Sequence, residues 1–571
     1  MLRSDNHEID PRFARGIEEV RRRFFSRDPG QWAPFSDPLL RHLVDDRQRH
    51  IPRADRLDSY SNGPALLRQL RDLDRIPLDT ASVPAHEDPL LRLTAALSKN
   101  WEDPSSVENV IGSPSDPAIY GTMAGVMANP NLLYSEYAEL AVDLEAAIVR
   151  MMASLIGYDP QQATGIFTGG GTFCNLYGYL LGIRKSLPNA RKLGIGSDGD
   201  YRIVNSIGGH YSNITNLSLL GVDSRKTIRI RITDNNEMDI ADLERQMRAC
   251  FQLGCVVPVI MLTMGTTDTF GVDRIKPVVD LRDRLCAEYA IKVKPHIHVD
   301  SAVGWPIAFF IDYDFDANPL RINHATVPSL LRYARHFAEL RYADSFTVDF
   351  QKWGYVPYTS SLVMIRDRRD LDALAHDFEN FSYFEQGMQS ETHLHSTIEC
   401  SRSATGVFGA YTALTQIGIE GYRTLIANCL QNANYFRYEL AKRPGVKTVA
   451  PGNFGPSVGF RLYNPEIVHD PEGEFEKELR FTEDSAWEER LRRNSAYHRS
   501  AFQSRGKKGL YTNWVDFIAH TNYDGLGRFR RIPGEKAVFM NPLTTYRQID
   551  EFIPQLHGPV RSGRDSTPDG G

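Results

Sequence analysis

From about residue 141 the chain alternates short apolar runs with segments whose apolar residues recur at helical spacing. Val142–Leu155 places Leu144, Ile148 and Met151 on one face, which predicts a helix. Gly165–Thr168 reads as a strand ending in a glycine turn, and Asn175–Leu187 as the following helix. Tyr201–Ser206 and Thr227–Ile232 read as strands, Ala241–Leu253 as a helix, Val256–Thr263 as a buried strand and Lys276–Ala290 as a helix. His296–Asp300, Ser345–Asp349 and Ser361–Ile365 are further strands. Strands that alternate with helices predict an α/β fold, with a mostly parallel sheet covered on both faces.

The flanks read differently. Residues 1–105 carry many arginines and short Pro-bounded helical patterns without strand alternation, and Arg21–Arg23 reads as a solvated helix face. A helix-rich stretch near Ser329–Leu340 separates two of the strands. Beyond residue 400 the helical runs Ala404–Ile417 and Tyr422–Lys442 precede short strands at Ser457–Leu462, Val515–His520 and Ala537–Asn541, a smaller α+β domain. Pro465–Lys508 is charged and poorly periodic and reads as an insertion or excursion. The expected division is a helical N-terminal segment over 1–140, a large domain over 141–400, a small C-terminal domain over 401–560 and a disordered tail over 561–571, rich in Gly, Pro, Ser and Asp.

Length and charge narrow the classes. At about 150 residues per domain, 571 residues allow roughly four domains, which one large α/β enzyme would reduce to two or three. The 66 basic and 72 acidic side chains give a net charge of −6, which argues against a nucleic-acid binder that relies on a basic surface. The longest strongly apolar run, Val256–Met264, is far short of the about 20 residues of a bilayer span. The first residues hold no apolar stretch like that of a signal peptide. The expectation is a cytoplasmic protein with neither a membrane nor a nucleic acid as partner. The six cysteines form no Cys-x-x-Cys pair, so neither a disulfide framework nor a zinc site is suggested.

Five motifs lie at predicted strand ends. Thr168–Asn175 runs from a strand through three glycines into a helix, either a plain tight turn or a cradle of backbone amides for an anion, with Thr172 adding a hydroxyl. It lacks the lysine of a nucleotide P-loop. Gly208–Asn213 holds His210, which is either an ordinary hydrogen-bonded histidine or a catalytic one that stacks on a planar cofactor or acts as an acid/base. Gly265–Gly271 places small hydroxyl residues where parallel sheets bind ligands, or is a capped turn. Asp300 ends an apolar strand, as a helix cap or as the partner of a cationic ring nitrogen. Lys352 follows another strand among Phe350, Trp353 and Tyr355, a setting that would depress its pKa and favour Schiff-base chemistry if it is not a surface lysine. Singly these signals are weak. An anion cradle, a stacking histidine, a carboxylate for a pyridinium nitrogen and a Schiff-base lysine are together what pyridoxal phosphate requires of a protein.

Thr168–Asn175, His210-Tyr-Ser, Gly265-Thr-Thr-Asp, His298-Val-Asp and Asp344-Ser…Asp349-x-x-Lys352-Trp together resemble the group II pyridoxal-phosphate amino-acid decarboxylases, over about residues 140–430 and including Cys400-Ser-Arg402 and Gly418-Ile-Glu-Gly421-Tyr. The spacing from Asp300 to Lys352 and the run Phe539-Met-Asn-Pro542 are most similar to the bacterial tyrosine decarboxylase branch. The resemblance implies the fold type I large domain of the aspartate aminotransferase kind and pyridoxal 5'-phosphate as cofactor. It implies that Lys352 carries the cofactor, Asp300 pairs with the ring nitrogen and His210 stacks on the ring. Gly171 and Thr172 would hold the phosphate, Ala302 would pack against the ring and Thr267 would lie near it. Tyr383, in Phe381-Ser-Tyr-Phe-Glu385, is the implied proton donor to Cα on a mobile loop, against the alternative of an aromatic cluster at a domain junction. Gln351 departs from the family, which has histidine before the lysine; glutamine keeps the hydrogen bonds but cannot titrate near neutral pH. The expected activity is decarboxylation of an apolar or aromatic L-amino acid by a homodimer whose N-terminal segment wraps the partner. Carbon–carbon cleavage, aldehyde synthesis and a non-catalytic relative are the alternatives. A lyase for a phosphorylated substrate would require extra basic residues, and the sequence shows no clear basic cluster near the motifs.

Overall fold

The computed structural model describes residues 5–25, 63–76, 94, 98–133, 135–375, 393–482, 485–505, 509–524 and 527–558. The larger sheet has seven strands: β1 Thr164–Thr168, β2 Ile203–Ser206, β3 Thr227–Ile230, β4 Val259–Thr263, β5 His296–Asp300, β6 Ser345–Asp349 and β7 Ser361–Ile365. Their order across the sheet is β1-β7-β6-β5-β4-β2-β3. The pairs from β6 to β3 are parallel, and β7 runs antiparallel to both β6 and β1. Every strand except the edge strand β3 is buried along its whole length. This is why β4 and β7 read as nearly continuous apolar runs, whereas β5 (His-Ile-His-Val-Asp) and β6 (Ser-Phe-Thr-Val-Asp) alternate apolar residues with buried polar ones that are hydrogen-bonded.

Three strands start later or stop earlier than the sequence predicts. Pro258 has no N–H to give to a ladder, so β4 begins at Val259, and Tyr201 and Val256 meet only in an isolated bridge. Ile232 pairs back with Met238, so β3 stops at Ile230.

The helix Gly171–Ser186 crosses the sheet at close range because two of its residues lack side chains. A Cβ on Gly178 would lie 2.2 Å from His298 Cγ, and one on Gly182 would lie 2.3 Å from Val259 Cγ2. The closeness brings the first turn of this helix to the carboxyl ends of β5 and β6.

The second sheet is antiparallel, in the order β10-β11-β9-β8, with β8 Val446–Thr448, β9 Ser457–Leu462, β10 Asn513–His520 and β11 Arg531–Val538. β11 replaces the strand predicted at Ala537–Asn541. Its first six residues, Arg531-Ile-Pro-Gly-Glu-Lys536, hold neither the alternation nor the apolar run of a strand. A helix over Thr405–Ala441, interrupted at Gly418 (φ 66°, ψ 176°), packs on the helices Asp116–Ala128 and Leu140–Ile156 and on β8 and β9 of this sheet.

The stretch 465–508 is largely helical among the described residues. It holds the helices Pro471–Leu479 and Ser485–Ser504, the first capped by the Asp470 carboxylate on the Gly473 N–H. They bury Glu478 and His498 against the second sheet, where Glu478 pairs with Arg461 and His498 with Glu535. Buried charges at core positions erase the apolar period that sequence reading relies on.

The N-terminal helix Pro11–Phe24 buries Phe13, Ile17 and Phe24, and Arg21 donates from Nε to the Pro542 carbonyl at 2.7 Å. The expectation that Arg21–Arg23 forms only a solvated face fails at Arg21, and this helix docks on its own chain. Among the described residues no helix is long and apolar enough to cross a membrane.

Candidate active site

The carboxyl ends of β1, β2, β4, β5 and β6 and the turns after them open onto a cavity of about 660 Å³. Gly171, Thr172, His210, Thr267, Asp300, Ala302, Gln351 and Lys352 all line it, although they lie up to 181 positions apart in sequence. Tyr383 lies outside the described residues.

Asp300 ends β5. Its Oδ2 accepts from Asn175 Nδ2 at 2.8 Å and its Oδ1 from the Ala302 N–H at 3.2 Å. Asn175 is itself oriented, because its Oδ1 accepts from Thr347 Oγ1 at 2.8 Å and lies 3.2 Å from His298 Nε2. Behind it, Ser345 Oγ lies 2.7 Å from both His298 Nδ1 and His296 Nε2. Burial drives both imidazoles down, His296 to about 4 and His298 well below its ordinary range, so the network is neutral behind the one carboxylate.

Lys352 Nζ lies 3.0 Å from Asp349 Oδ2. Burial opposes its charge, but Asp349 and Asp300 outweigh burial and hold the ammonium above the ordinary lysine range. This corrects the expectation of a depressed pKa, which counted the aromatic neighbours and not the two carboxylates. The turn that carries Lys352 is braced from the N-terminal side. Ser115 donates from N and Oγ to the Tyr355 carbonyl at 2.7 and 3.2 Å, and Gly112 packs so closely that a Cβ would lie 2.7 Å from the Lys352 carbonyl oxygen.

The glycine turn opens the Gly171–Ser186 helix, whose first amides have no partner inside the helix. Gly170, at φ 155°, has no heavy atom within 4 Å of a Cβ position and leaves the cradle open. A buried pair fixes the strand that leads into it: Arg402 Nη1 donates to Glu145 Oε1 at 2.7 Å and to the Phe167 carbonyl at 3.1 Å, and the Phe167 N–H donates to Glu145 Oε1 at 2.9 Å.

His210 accepts from the Ser212 N–H at Nδ1, which leaves the proton of the neutral ring on Nε2. Burial holds its pKa below the ordinary value, against the pull of Asp300. Gln351 turns its amide into the protein: Nε2 donates to Ser361 Oγ at 2.7 Å and Oε1 accepts from the Ser360 N–H at 2.8 Å.

Several cavity residues escaped the sequence reading. Asn175 and Asp349 stand inside quoted motifs, and Asp349 carries the same signal as Asp300, a carboxylate at the end of an apolar strand. Tyr358, Phe517, Arg229, Arg531 and Lys536 give no local signal, and Lys536 reaches Asp268 across 268 positions at 2.6 Å. The three cations also supply the basic cluster that the sequence did not reveal.

A largely parallel sheet with a reversed β7, a carboxylate at the end of β5 and a lysine just past β6 define a fold type I site for pyridoxal phosphate. The residues fit the group: an open glycine cradle, an oriented carboxylate and an amine line one cavity. The conserved domain of pyridoxal-dependent decarboxylases matches residues 85–463, and the chain belongs to this family. Among curated proteins, it is 26% identical over 243 residues to the L-tyrosine decarboxylase of Enterococcus faecalis, covering 40% of this chain and 38% of that protein. It is 23% identical over 387 residues to the aspartate 1-decarboxylase of Aliivibrio fischeri, covering 63% and 64%. The chain thus spans roughly two-fifths to two-thirds of these relatives' lengths. The crystal structure of mouse CSAD superposes with a TM-score of 0.70 at 18% identity, over 93% of this chain and 99% of that one, which establishes the shared fold.

Proposed function

We propose that this chain decarboxylates an L-amino acid to its amine and carbon dioxide, with pyridoxal phosphate held by Lys352. The observation that carries the reading is that Lys352 and Asp300 open onto the same cavity as the glycine turn. Bound there, pyridoxal phosphate supplies a conjugated ring that accepts the electrons released at Cα. Asp300, fixed by Asn175 and the Ala302 N–H, holds a proton on the ring nitrogen. His210 covers one ring face. The amides of Gly171 and Thr172, with the Thr172 hydroxyl, bind the phosphate. Thr267 and Ala302 confine the ring. Tyr383 delivers the proton to Cα. The enzyme acts as a cytoplasmic homodimer, with a cofactor-binding domain over 141–400 flanked by the segment 1–140 and the domain 401–560.

The substrate we propose is an L-amino acid with an apolar or aromatic side chain. Ile207, Ile214, Ile232, Val303 and Phe517 on the cavity wall and the similarity to a tyrosine decarboxylase support it. A second reading, an acidic side chain, is favoured by Arg229 and Arg531. Among the described residues neither guanidinium has a carboxylate partner. Burial and the nearby Arg531 push the Arg229 pKa down, the mark of cations that gain from an anion. A screen for amine products decides. The highest kcat/KM on tyrosine, leucine, methionine or valine supports the first reading, and the highest on aspartate or glutamate the second. Absence of any amine overturns both.

A further inference from the structure

Asp349 is a buried carboxylate for which the proposed reaction has no role. It ends β6 opposite Ser361 of β7, whose Oγ donates to Oδ1 at 2.6 Å, while Oδ2 faces Lys352 Nζ at 3.0 Å. Its third neighbour is the glycine turn. A Cβ built on Gly171 would lie 2.7 and 2.8 Å from the two carboxylate oxygens. The carboxylate is therefore seated against the first turn of the Gly171–Ser186 helix, where Gly169, Gly170 and Thr172 face the cavity. A glycine at 171 is required for this approach, since any side chain would collide with the carboxylate.

Two anions are thus assigned to one helix end. The amides and dipole of the first turn favour a phosphate monoester there. A carboxylate held by Ser361 and Lys352 cannot easily swing away, and like charges gathered at one buried helix end repel. We propose that Asp349 opposes the phosphate, so that the chain grips the phosphorylated cofactor less tightly than its glycine cradle alone would allow. The consequence is a cofactor site tuned for exchange as well as for retention. The inference rests on the assignment of pyridoxal phosphate to this cavity.

The test compares pyridoxal phosphate with pyridoxal, which lacks the phosphate. Both meet Lys352 through the same aldehyde, so any change in the lysine's reactivity cancels in the ratio of their affinities. The full-length protein, stripped of cofactor, is titrated with each compound, and binding is followed by absorbance and by quenching of tryptophan fluorescence. Asp349→Asn keeps the shape and the acceptor for Ser361 but removes the charge. It is expected to raise the ratio of pyridoxal phosphate affinity to pyridoxal affinity about tenfold. An unchanged or lowered ratio overturns the proposal, because a merely structural carboxylate would weaken both ligands or neither. If Asp349→Asn does not fold, Asp349→Ser is read by the same ratio with the same two outcomes. Failure of the unmodified protein to bind pyridoxal phosphate at all would overturn the cofactor assignment as well, whereas failure of the comparison overturns this inference alone.

Discussion

Asn175 donates from Nδ2 to Asp300 Oδ2 at 2.8 Å, and its carbonyl oxygen is claimed by Thr347 and faces His298. The amide can point only one way, with its NH₂ group toward the Asp300 carboxylate and the Ser212 hydroxyl. Asp300 thus receives an oriented donor from a neutral, fully buried network, and its free edge is left for a cationic partner in the cavity.

Asn175→Ala should therefore lower kcat/KM about tenfold to a hundredfold, the scale of one hydrogen bond to a charged group. Amine formation measures the loss, and the absorption spectrum of bound cofactor should shift because the ring nitrogen is less firmly protonated. Unchanged kinetics and spectrum would show that Asp300 needs no such support.

Lys352→Ala should abolish turnover and the borohydride-fixable attachment of cofactor. Mass spectrometry after reduction reads the outcome directly. A cofactor-sized mass increment on the variant would place the attachment on another lysine.

Tyr383→Phe should slow amine formation about 10²–10⁴-fold, the usual worth of a positioned acid, with cofactor affinity retained. Product analysis should also show by-products of misdirected protonation. Parental rates would assign the proton to another group.

The Arg402–Glu145 pair is nearly inaccessible, with both side chains 3% exposed. Glu145→Gln leaves a buried guanidinium without its counter-charge and should cost about 3–5 kcal/mol of stability. Urea denaturation of the variant against the parent measures this, and a cost under about 1 kcal/mol would contradict it.

Acid should destabilise the protein well above the carboxylate range. His296 and His498 are each pushed to about 4 by burial, against an ordinary value of 6.5, so below 6.5 the unfolded chain takes up protons that the folded chain refuses. Their contribution is complete above pH 6.5 and falls away between 6.5 and 4, by up to about 1.4 kcal/mol per pH unit for each histidine. Urea midpoints measured from pH 7 to pH 4.5 should fall, and His498→Gln should flatten the slope. A midpoint independent of pH over that range would refute the assignment.

What could be read from sequence follows from where the information lies. The sheet was legible because its central strands are buried, so that β4 is a nearly unbroken apolar run and β5 and β6 are short runs in which apolar residues alternate with buried, hydrogen-bonded polar ones. The motifs were legible because Asp300, Lys352 and the glycine turn all follow such runs directly. The second sheet was harder. β11 starts with arginine, proline and glycine, and the helices that cover the sheet place Glu478 and His498 where apolar residues are expected. The Lys352 pKa was misjudged because its sign depends on Asp349 and Asp300, and sequence distance does not report their approach. Lys536, Arg531 and Phe517 reach the cavity through tertiary packing alone.

One further consequence concerns the order in which the site can be built. Asn109 faces the cavity, and the stretch just before it is tied to the far end of the chain. Asn541 donates to the Trp101 carbonyl across 440 positions, and the Val538 N–H donates to the Val107 carbonyl at 2.6 Å. Contacts of such sequence separation form late, because the loop they close must first be ordered. The strands of the large sheet draw only on residues 164–365, whereas the wall that carries Asn109 and Lys536 closes only once residues up to 541 are in place. A truncation that removes Val538 and Asn541 would thus undo the cofactor pocket without removing any residue that the sequence motifs mark as catalytic.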